Sequence, residues 1–329
     1  MKGIKSFVKV GLGIVLCLVV GNSILFAAPA KFPSKPIIFV CPGTVGGGSD
    51  LQARMVQATI EKHIKLTEPI VVLNKGGRGG ANEAYAFTAG KKGDAHYVLT
   101  TANQFLTYPM TGAGYNPKDF TPIANLVWDP TVMVTRPDSP FKTFEDVVNA
   151  AKAKPDTLTC AGGQLGTQDH MGLLTMENAA GFKLRFVPFQ GGGDIHRNVL
   201  GGQTDLAVGN PGDFIASIEA GKLKALVIST PKRSDAKALA DVPTLKEKGY
   251  NATFVTWRGW LAPAGIRADQ IKFLENLFKV VSEDAEFQEK YIRQNGMTPS
   301  FMGHDEFARF LKGESAIYEK LLRQSGVIK

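Results

Sequence analysis

The 329-residue chain has little cysteine, with Cys17, Cys41 and Cys160 its only three. That excludes a disulfide-scaffolded fold. Histidine is also sparse. His63, His96, His170, His196 and His304 are scattered, and none stands in a HExxH or paired spacing. A metal site is therefore not expected. There is no GxSxG elbow for a serine nucleophile. No Gly-Lys-Ser/Thr follows the first glycine loop, and its spacing is not GxGxxG. A P-loop and a dinucleotide fingerprint are both excluded. Lysine and arginine nowhere gather into a run, which removes the usual footprint of nucleic-acid binding. After residue 30 no stretch approaches 18 apolar residues, the length a membrane span needs. Composition is that of a globular chain, 44% hydrophobic and 21% charged.

The first 30 residues differ from the rest. Lys2, Lys5 and Lys9 lead an apolar stretch from Val10 to Phe26, broken at Gly21-Asn22-Ser23. Ala28-Pro29-Ala30 supplies the small residues of a signal-peptidase site. The pattern predicts a secretory leader over 1–30, cleaved near Ala30, and a periplasmic mature chain. No small residues precede Cys17 as a lipobox would require. Removing the three leader lysines lowers the formal charge from +8 to +5. Cys41 and Cys160 remain, each at the end of an apolar run. Buried free thiols and a single disulfide of an exported protein both fit.

What the chain has in surplus is glycine, 36 residues or about 11% against the usual ~7%. Fourteen of them form four clusters: Gly43 with Gly46–Gly48, Gly76 and Gly77 with Gly79 and Gly80, Gly162 and Gly163 with Gly166, and Gly191–Gly193. Short apolar runs alternate with amphipathic segments, the signature of an α/β protein with parallel sheets. Strands are expected at 35–41, 69–73, 97–101, 157–160, 184–188, 206–208 and 223–229. A long extended run is expected at 123–135, interrupted by Pro130, and a short one at 260–262. Helices are expected at 50–60, 81–89, 144–153, 168–180, 195–200, 212–220, 268–282, 285–294 and 305–325. Ser49 is a candidate N-cap, with Leu51, Met55 and Ile60 on the inner helix face. With no flexible linker, two lobes would be joined by strand crossovers, for which 127–135 and 255–262 are candidates.

Each glycine cluster follows an expected strand and precedes an expected helix. Loops beyond strand C-termini are where open α/β sheets take ligands. Glycine lets backbone amides approach a ligand, and a helix N-terminus adds unpaired donors and positive potential. The four loops together point to one cleft facing an anion.

Several motifs then carry a family resemblance. They are Pro33-Ser34-Lys35-Pro36, Gly46-Gly47-Gly48-Ser49-Asp50, Asn74-Lys75 with Gly76–Gly80, Asp138-Ser139-Pro140 and Val187-Pro188-Phe189. They continue with Leu200-Gly201-Gly202-Gln203-Thr204-Asp205, Ala220-Gly221-Lys222-Leu223, Asp241-Val242-Pro243-Thr244 and Leu261-Ala262-Pro263-Ala264-Gly265. In this order the mature chain resembles the Bug or TctC-like periplasmic solute-binding receptors of tripartite tricarboxylate transporters. The resemblance implies a two-lobed type II periplasmic-binding-protein fold, a Venus flytrap of two mostly parallel sheets flanked by helices. Lobe 1 would comprise 31–133 and 256–329, and lobe 2 134–255. It implies capture of a small carboxylate, a di- or tricarboxylate or an aromatic acid, and delivery to membrane permease subunits. Another organic anion is the alternative ligand, and an exported hydrolase the weaker one. It implies a monomer without catalysis, cofactor or metal.

Carried onto this chain, the ligand contacts would be Thr44, Val45, Gly46, Gly47, Gly48 and Ser49 from the first loop. Thr101, Ala102 and Asn103 would follow, then Gly163, Gln164, Thr167 and Gln168. Gly191, Gly192, Asp194 and Asn210 would complete the set. Two arginines are added as candidates. Arg78 stands where the family usually has no cation, and Arg258 lies between Trp257 and Trp260, where it could stack on an indole or reach the cleft. Asp50 fits a helix-start residue shaping the loop, since a carboxylate would repel an anion. His170 and His196 lie near the expected cleft loops.

Overall fold

The computed structural model describes residues 31–76, 82–112 and 114–329. The leader, Arg78 and the glycines at 77, 79 and 80 lie outside the described residues.

The first sheet starts with β1 (Ile37–Cys41), followed by α1 (Gly48–His63), β2 (Ile70–Asn74), α2 (Asn82–Ala89), β3 (Tyr97–Thr101), α3 (Gln104–Met110) and β4 (Phe120–Pro130). The chain then enters a second series. It runs through β5 (Val132–Thr135), α4 (Phe144–Ala153), β6 (Thr159–Gly162), α5 (Gln168–Ala180), β7 (Arg185–Pro188) and α6 (Gly192–Leu200). It continues with β8 (Leu206–Gly209), α7 (Pro211–Glu219) and β9 (Lys224–Ile228). It returns through β10 (Val255–Pro263), α8 (Ala268–Glu283), β11 (Thr298–Met302) and α9 (His304–Gln324).

The six-stranded sheet has the order β11-β4-β10-β3-β1-β2, and the five-stranded sheet β7-β6-β8-β5-β9. Both are mixed, where mostly parallel sheets were expected. β1 runs parallel to β2 and β3, but β10 is antiparallel to β3 and β4. In the second sheet β6 is parallel to β7 and β8, while β5 is antiparallel to β8 and β9. The cause is the crossing itself. A strand that arrives from the other sheet enters from the opposite end, so β5 and β10 are inserted against the local direction.

The expected long run at 123–135 is two strands in two sheets, divided at Thr131 beside Pro130. The expected second crossover at 255–262 is an interior strand of the first sheet, and the return passes at Phe254. One residue ties both passages. The Thr131 amide donates to Ser229 Oγ at 2.8 Å, and the Ser229 amide donates to the Thr131 carbonyl at 3.0 Å. The Phe254 amide donates to the Ser229 carbonyl at 2.9 Å. α5 presses on the same point. A Cβ added at Gly172 would lie 2.4 Å from Thr131 Oγ1, so only glycine lets this helix sit there.

Cores follow the sheets. Val40, Leu99, Phe105, Leu261 and Phe307 share one buried cluster, which also takes Met171 and Leu174 from α5. The helices of the second series pack on the five-stranded sheet in two further clusters. Trp257 and Trp260 are fully buried. Trp260 lies 4.6 Å from Phe39 and 4.8 Å from Phe278, centroid to centroid, and such pairs add about 0.5–1.5 kcal/mol beyond area burial. Arg258, between the two in sequence, is bonded instead to Asp129 and Tyr291.

Three local expectations change. Helix α1 starts two residues earlier than expected, with Gly47 as N-cap, so Ser49 lies inside it. Its inner face is Gln52, Ala53, Val56, Thr59 and Ile60, and Leu51 is exposed. The expected helix at 285–294 winds as a π-helix over Phe287–Ile292. Cys41 and Cys160 are buried free thiols, one in each sheet. Among the described residues no helix is long and apolar enough to cross a membrane.

Candidate functional site: a cleft between two glycine-loop walls

A cleft of about 650 Å³ opens where the C-terminal loops of both sheets meet. Among the described residues five helices begin at it: α1, α3, α5, α6 and α7. None receives a side-chain cap from its N-cap residue, which is Gly47, Asn103, Thr167, Gly191 and Asn210 in turn. By contrast α4, which does not line the cleft, has a complete capping box from Thr143 and Asp146. The first amides of a helix have no intrahelical partner. At the cleft they are left for water or a ligand.

The first wall is the loop after β1. Thr44, Val45, Gly46, Gly47, Gly48 and Ser49 all line the cleft. Gly46 has φ +81°, a left-handed conformation that favours glycine. Asp50 holds the turn in place. Its carboxylate accepts from the Gly46 amide at 2.9 Å and from Arg54 Nε at 3.0 Å. Burial works to raise the Asp50 carboxyl pKa, but Arg54 and the Gly46 amide prevail and hold it below the usual range. Asp50 itself does not line the cleft. It shapes the loop, as its position at the helix start suggested.

Thr101 and Ala102 line the same wall. Asn103 does not. It is fully buried, and its Nδ2 donates to the Gly166 carbonyl at 3.0 Å. Thr107 Oγ1 donates to the same carbonyl at 2.7 Å. Asn103 thus fastens α3 to the loop after β6.

The second wall is built from the loops after β6, β7 and β8. Gly163, Gln164, Thr167, Gln168, Gly191, Gly192, Asp194 and Asn210 all line the cleft. So do Asp169 and Asp213, which motif reading passed over. Each of the three acids lies in the first turn of its helix: Asp169 in α5, Asp194 in α6 and Asp213 in α7. Asp169 is 7% exposed, and its Oδ2 accepts from the Gly163 amide at 2.7 Å. Burial and the nearby charge of Asp213 push its carboxyl up to about 7. Asp213 is pushed up to about 6, chiefly by desolvation.

Between the walls lies a polar floor. Arg258 lines the cleft. Its Nε donates to Asp129 Oδ2 at 2.6 Å and its Nη1 to Tyr291 Oη at 3.1 Å. The pair keeps the guanidinium charged despite burial. Asn210 Nδ2 donates to Gln168 Oε1 at 2.9 Å and also to Asp129. Gln168 Nε2 donates to the Asp129 and Pro130 carbonyls at 3.2 and 2.8 Å. These side-chain donors are engaged in holding the crossover.

Gln52 is another cleft residue that the motifs did not mark. It is 2% exposed, lines the cleft from α1, and its Nε2 has no hydrogen-bond partner. Tyr85, Gln104, Tyr108 and Arg197 also line the cleft. His170 does not. Its Nδ1 accepts from the Gly166 amide at 3.1 Å, and burial pushes it down to about 4. It is a neutral structural group. His196 Nε2 lies 2.7 Å from Ser217 Oγ. Among the described residues no group of acids, histidines and cysteines could hold a metal ion.

The family model described as tripartite tricarboxylate transporter family receptor matches residues 52–327. The chain belongs to this family. The receptor is 31% identical over 300 residues to the UPF0065 protein in the gbd 5′ region of Cupriavidus necator, covering 88% of this chain and 89% of that one. It is 26% identical to the protein BugT of Bordetella pertussis, covering 91% and 93% of the two chains. Among solved structures, the periplasmic binding protein BugD matches with a TM-score of 0.79 and 26% identity, over 91% of this chain and all of that one. A protein of R. palustris determined with adipate has the same fold, with a TM-score of 0.80 and 23% identity over 90% and 99% of the two chains. The receptor therefore has the two-lobed fold of periplasmic binding proteins, and its family comprises solute-binding receptors rather than enzymes.

Proposed function

We propose that this chain captures a small carboxylate in the cleft between its two sheets and delivers it to the membrane subunits of a tripartite tricarboxylate-type transporter. The observation that carries the reading is the first wall. A glycine loop over Thr44–Gly48 leads into a helix without a side-chain cap, and the buried Gln52 amide beside it is unpartnered. Backbone donors, a helix N-terminus and a free amide suit a carboxylate. Thr101 and Ala102 complete that wall, with Gly163, Gln164, Thr167, Gly191 and Gly192 facing it.

The lobes in this reading are 31–131 with 254–329, and 132–253, moved from the expected 133/134 and 255/256 boundaries so that β5 stays whole in the five-stranded sheet and β10 in the six-stranded one. They close about Thr131 and Phe254, the passages bound to Ser229, in a hinge motion around the ligand. The leader over 1–30 is removed near Ala30, and the mature receptor works as a monomer in the periplasm.

Native mass spectrometry of the purified protein tests the reading. A small carboxylic acid released on activation is the expected result. Among malate, adipate and an aromatic acid at equal concentration, the tighter binder should raise the melting temperature more. A released phosphonate or sulfonate that competes with every acid would overturn it.

A further inference from the structure

The two walls of the cleft are alike in backbone and unlike in charge. On the first, the acid of the helix start, Asp50, is turned out of the cleft and paired with Arg54. On the second, Asp169 and Asp213 face in, and neither has an ion-pair partner among the described residues. The two cations that line the cleft there are already engaged, Arg197 with Asp194 and Arg258 with Asp129. A second carboxylate on this wall would meet two carboxyls and, among the described residues, no free cation. Like charges that share a partly desolvated cleft repel, as the effect of Asp213 on Asp169 already shows. The helix N-termini do not offset this, because each already carries its own acid in the first turn.

Independently, Gln52 indicates which end of the cleft is prepared for an anion. Its side chain is 98% buried, and its Nε2 donor has no partner. A buried donor left unmade carries the desolvation penalty of its group, which a ligand oxygen removes. Asp169 is the complementary group. It is 7% exposed, its Oδ2 is held by the Gly163 amide, and it lines the same cleft.

We propose that the bound acid is polar in a defined sense, with its carboxylate on the Gly46–Gly48 loop and Gln52, and a hydrogen-bond donor, a hydroxyl or an ammonium, on Asp169. This rests on the carboxylate reading and narrows it. A plain dicarboxylate is disfavoured, and a hydroxy or amino acid is preferred. The titration of Asp169 makes the sign testable. The charges around it are Asp213 on α7, Asp129 on β4 and Arg258 on β10, with the Gly163 amide on its own side. A donor on Asp169 favours its ionised form, so affinity rises as pH rises through about 7. A carboxylate there needs a proton on Asp169, so its affinity falls over the same range.

The experiment is calorimetric titration of the full chain at pH 6 and pH 8 with acids matched in length. Succinate, 4-hydroxybutyrate and 4-aminobutyrate form one set, and adipate, 6-hydroxyhexanoate and 6-aminohexanoate the other. The molecule released in native mass spectrometry is added to both. A donor-ended acid is expected to bind about tenfold more tightly than the dicarboxylate of its length, and to tighten from pH 6 to pH 8. Asp169→Asn should erase most of that gap, since an amide oxygen still accepts from Gly163 while the charge is lost. Asp213→Asn, on a side chain exposed to the cleft, should narrow it in the same direction without disturbing the fold. Tighter binding of the dicarboxylates with affinity falling toward pH 8 overturns the proposal. So does a released acid with no donor beyond its carboxylates, which leaves the carboxylate reading standing. A released molecule that is no acid removes the carboxylate reading itself.

Discussion

The walls of the cleft use one backbone device and reach different electrostatic results. Both present glycine loops that lead into helices without side-chain caps. In α1 the first-turn acid is turned away, pinned to the Gly46 amide and Arg54. In α5, α6 and α7 the first-turn acids line the cleft. A helix N-terminus is thus a place for an anion only when its own acid is directed elsewhere. The loop decides this. Gly46, at φ +81°, folds its amide back onto Asp50 and removes that carboxylate from the site.

The largest expected effect comes from breaking the floor that both walls share. Asp129→Ala leaves the Arg258 guanidinium buried without its counter-ion. Removing one partner of such a pair costs about 3–5 kcal/mol. Urea unfolding should show it, and a loss below about 1 kcal/mol would mean that water serves Arg258 equally well.

Next in size is a contrast between the walls. Gly46→Val places a β-branched residue at positive φ, and Gly47→Val crowds the Thr44 carbonyl, 3.1 Å from the added Cβ. Either should weaken acid binding by about a hundredfold or more while the fold is retained. In Gly192→Ala the nearest atoms to the new Cβ are those of the Asp213 carboxyl, from 2.4 Å, the far end of a side chain that can rotate. Its affinity should change by less than about threefold. Equal losses at Gly46 and Gly192 in calorimetric titration would erase the distinction.

A smaller effect separates the walls by pH. Asp169, pushed up to about 7, binds its proton more tightly folded than unfolded. The ligand-free protein should therefore lose stability as pH rises from about 4 to about 7, by roughly 2 kcal/mol between pH 5 and pH 7. Asp169→Asn should remove the larger part of that slope and leave the smaller part from Asp213, which is pushed up to about 6. Asp50 has the opposite sign. Its depressed pKa contributes stability above the unfolded value of about 3.9, lost as pH falls through the folded value. Urea titrations across pH 3 to 8 read both.

The smallest effect concerns the thiols. Cys41 lies behind the first wall, and burial pushes it up to about 12. Cys160 is likewise buried and raised. Neither should react with a thiol reagent in the native state, and reductant should leave the melting temperature unchanged. A shift on reduction would point to a disulfide that the free thiols contradict.

The legible part of this molecule was local. Alternating apolar runs and helix-closing glycines marked α5 and α7, where Gly181 and Gly221 take φ of +67° and +66°. The glycine loops located the cleft, because glycine after a strand and before a helix has a backbone reason to be there. The harder features depended on what lies across the fold. β11 has Pro299 in an edge strand paired only with β4, where a missing donor is tolerated. α3 is short, aromatic and contains Pro109 near its end, so its composition reads as extended. Asp169 and Asp213 look like ordinary first-turn acids, and only the approach of three loops turns them into a wall. Gln52 has no motif at all. Its meaning comes from the absence of a partner.

A crystal structure of the receptor with its co-purified ligand tests the central claim most directly. The expected result is carboxylate oxygens within hydrogen-bonding distance of the Gly48 and Ser49 backbone amides, the open donors at the start of α1, and of Gln52 Nε2. A carboxylate seated instead on the second wall, at Gly191–Gly193 beside Asp169 and Asp213, would contradict it.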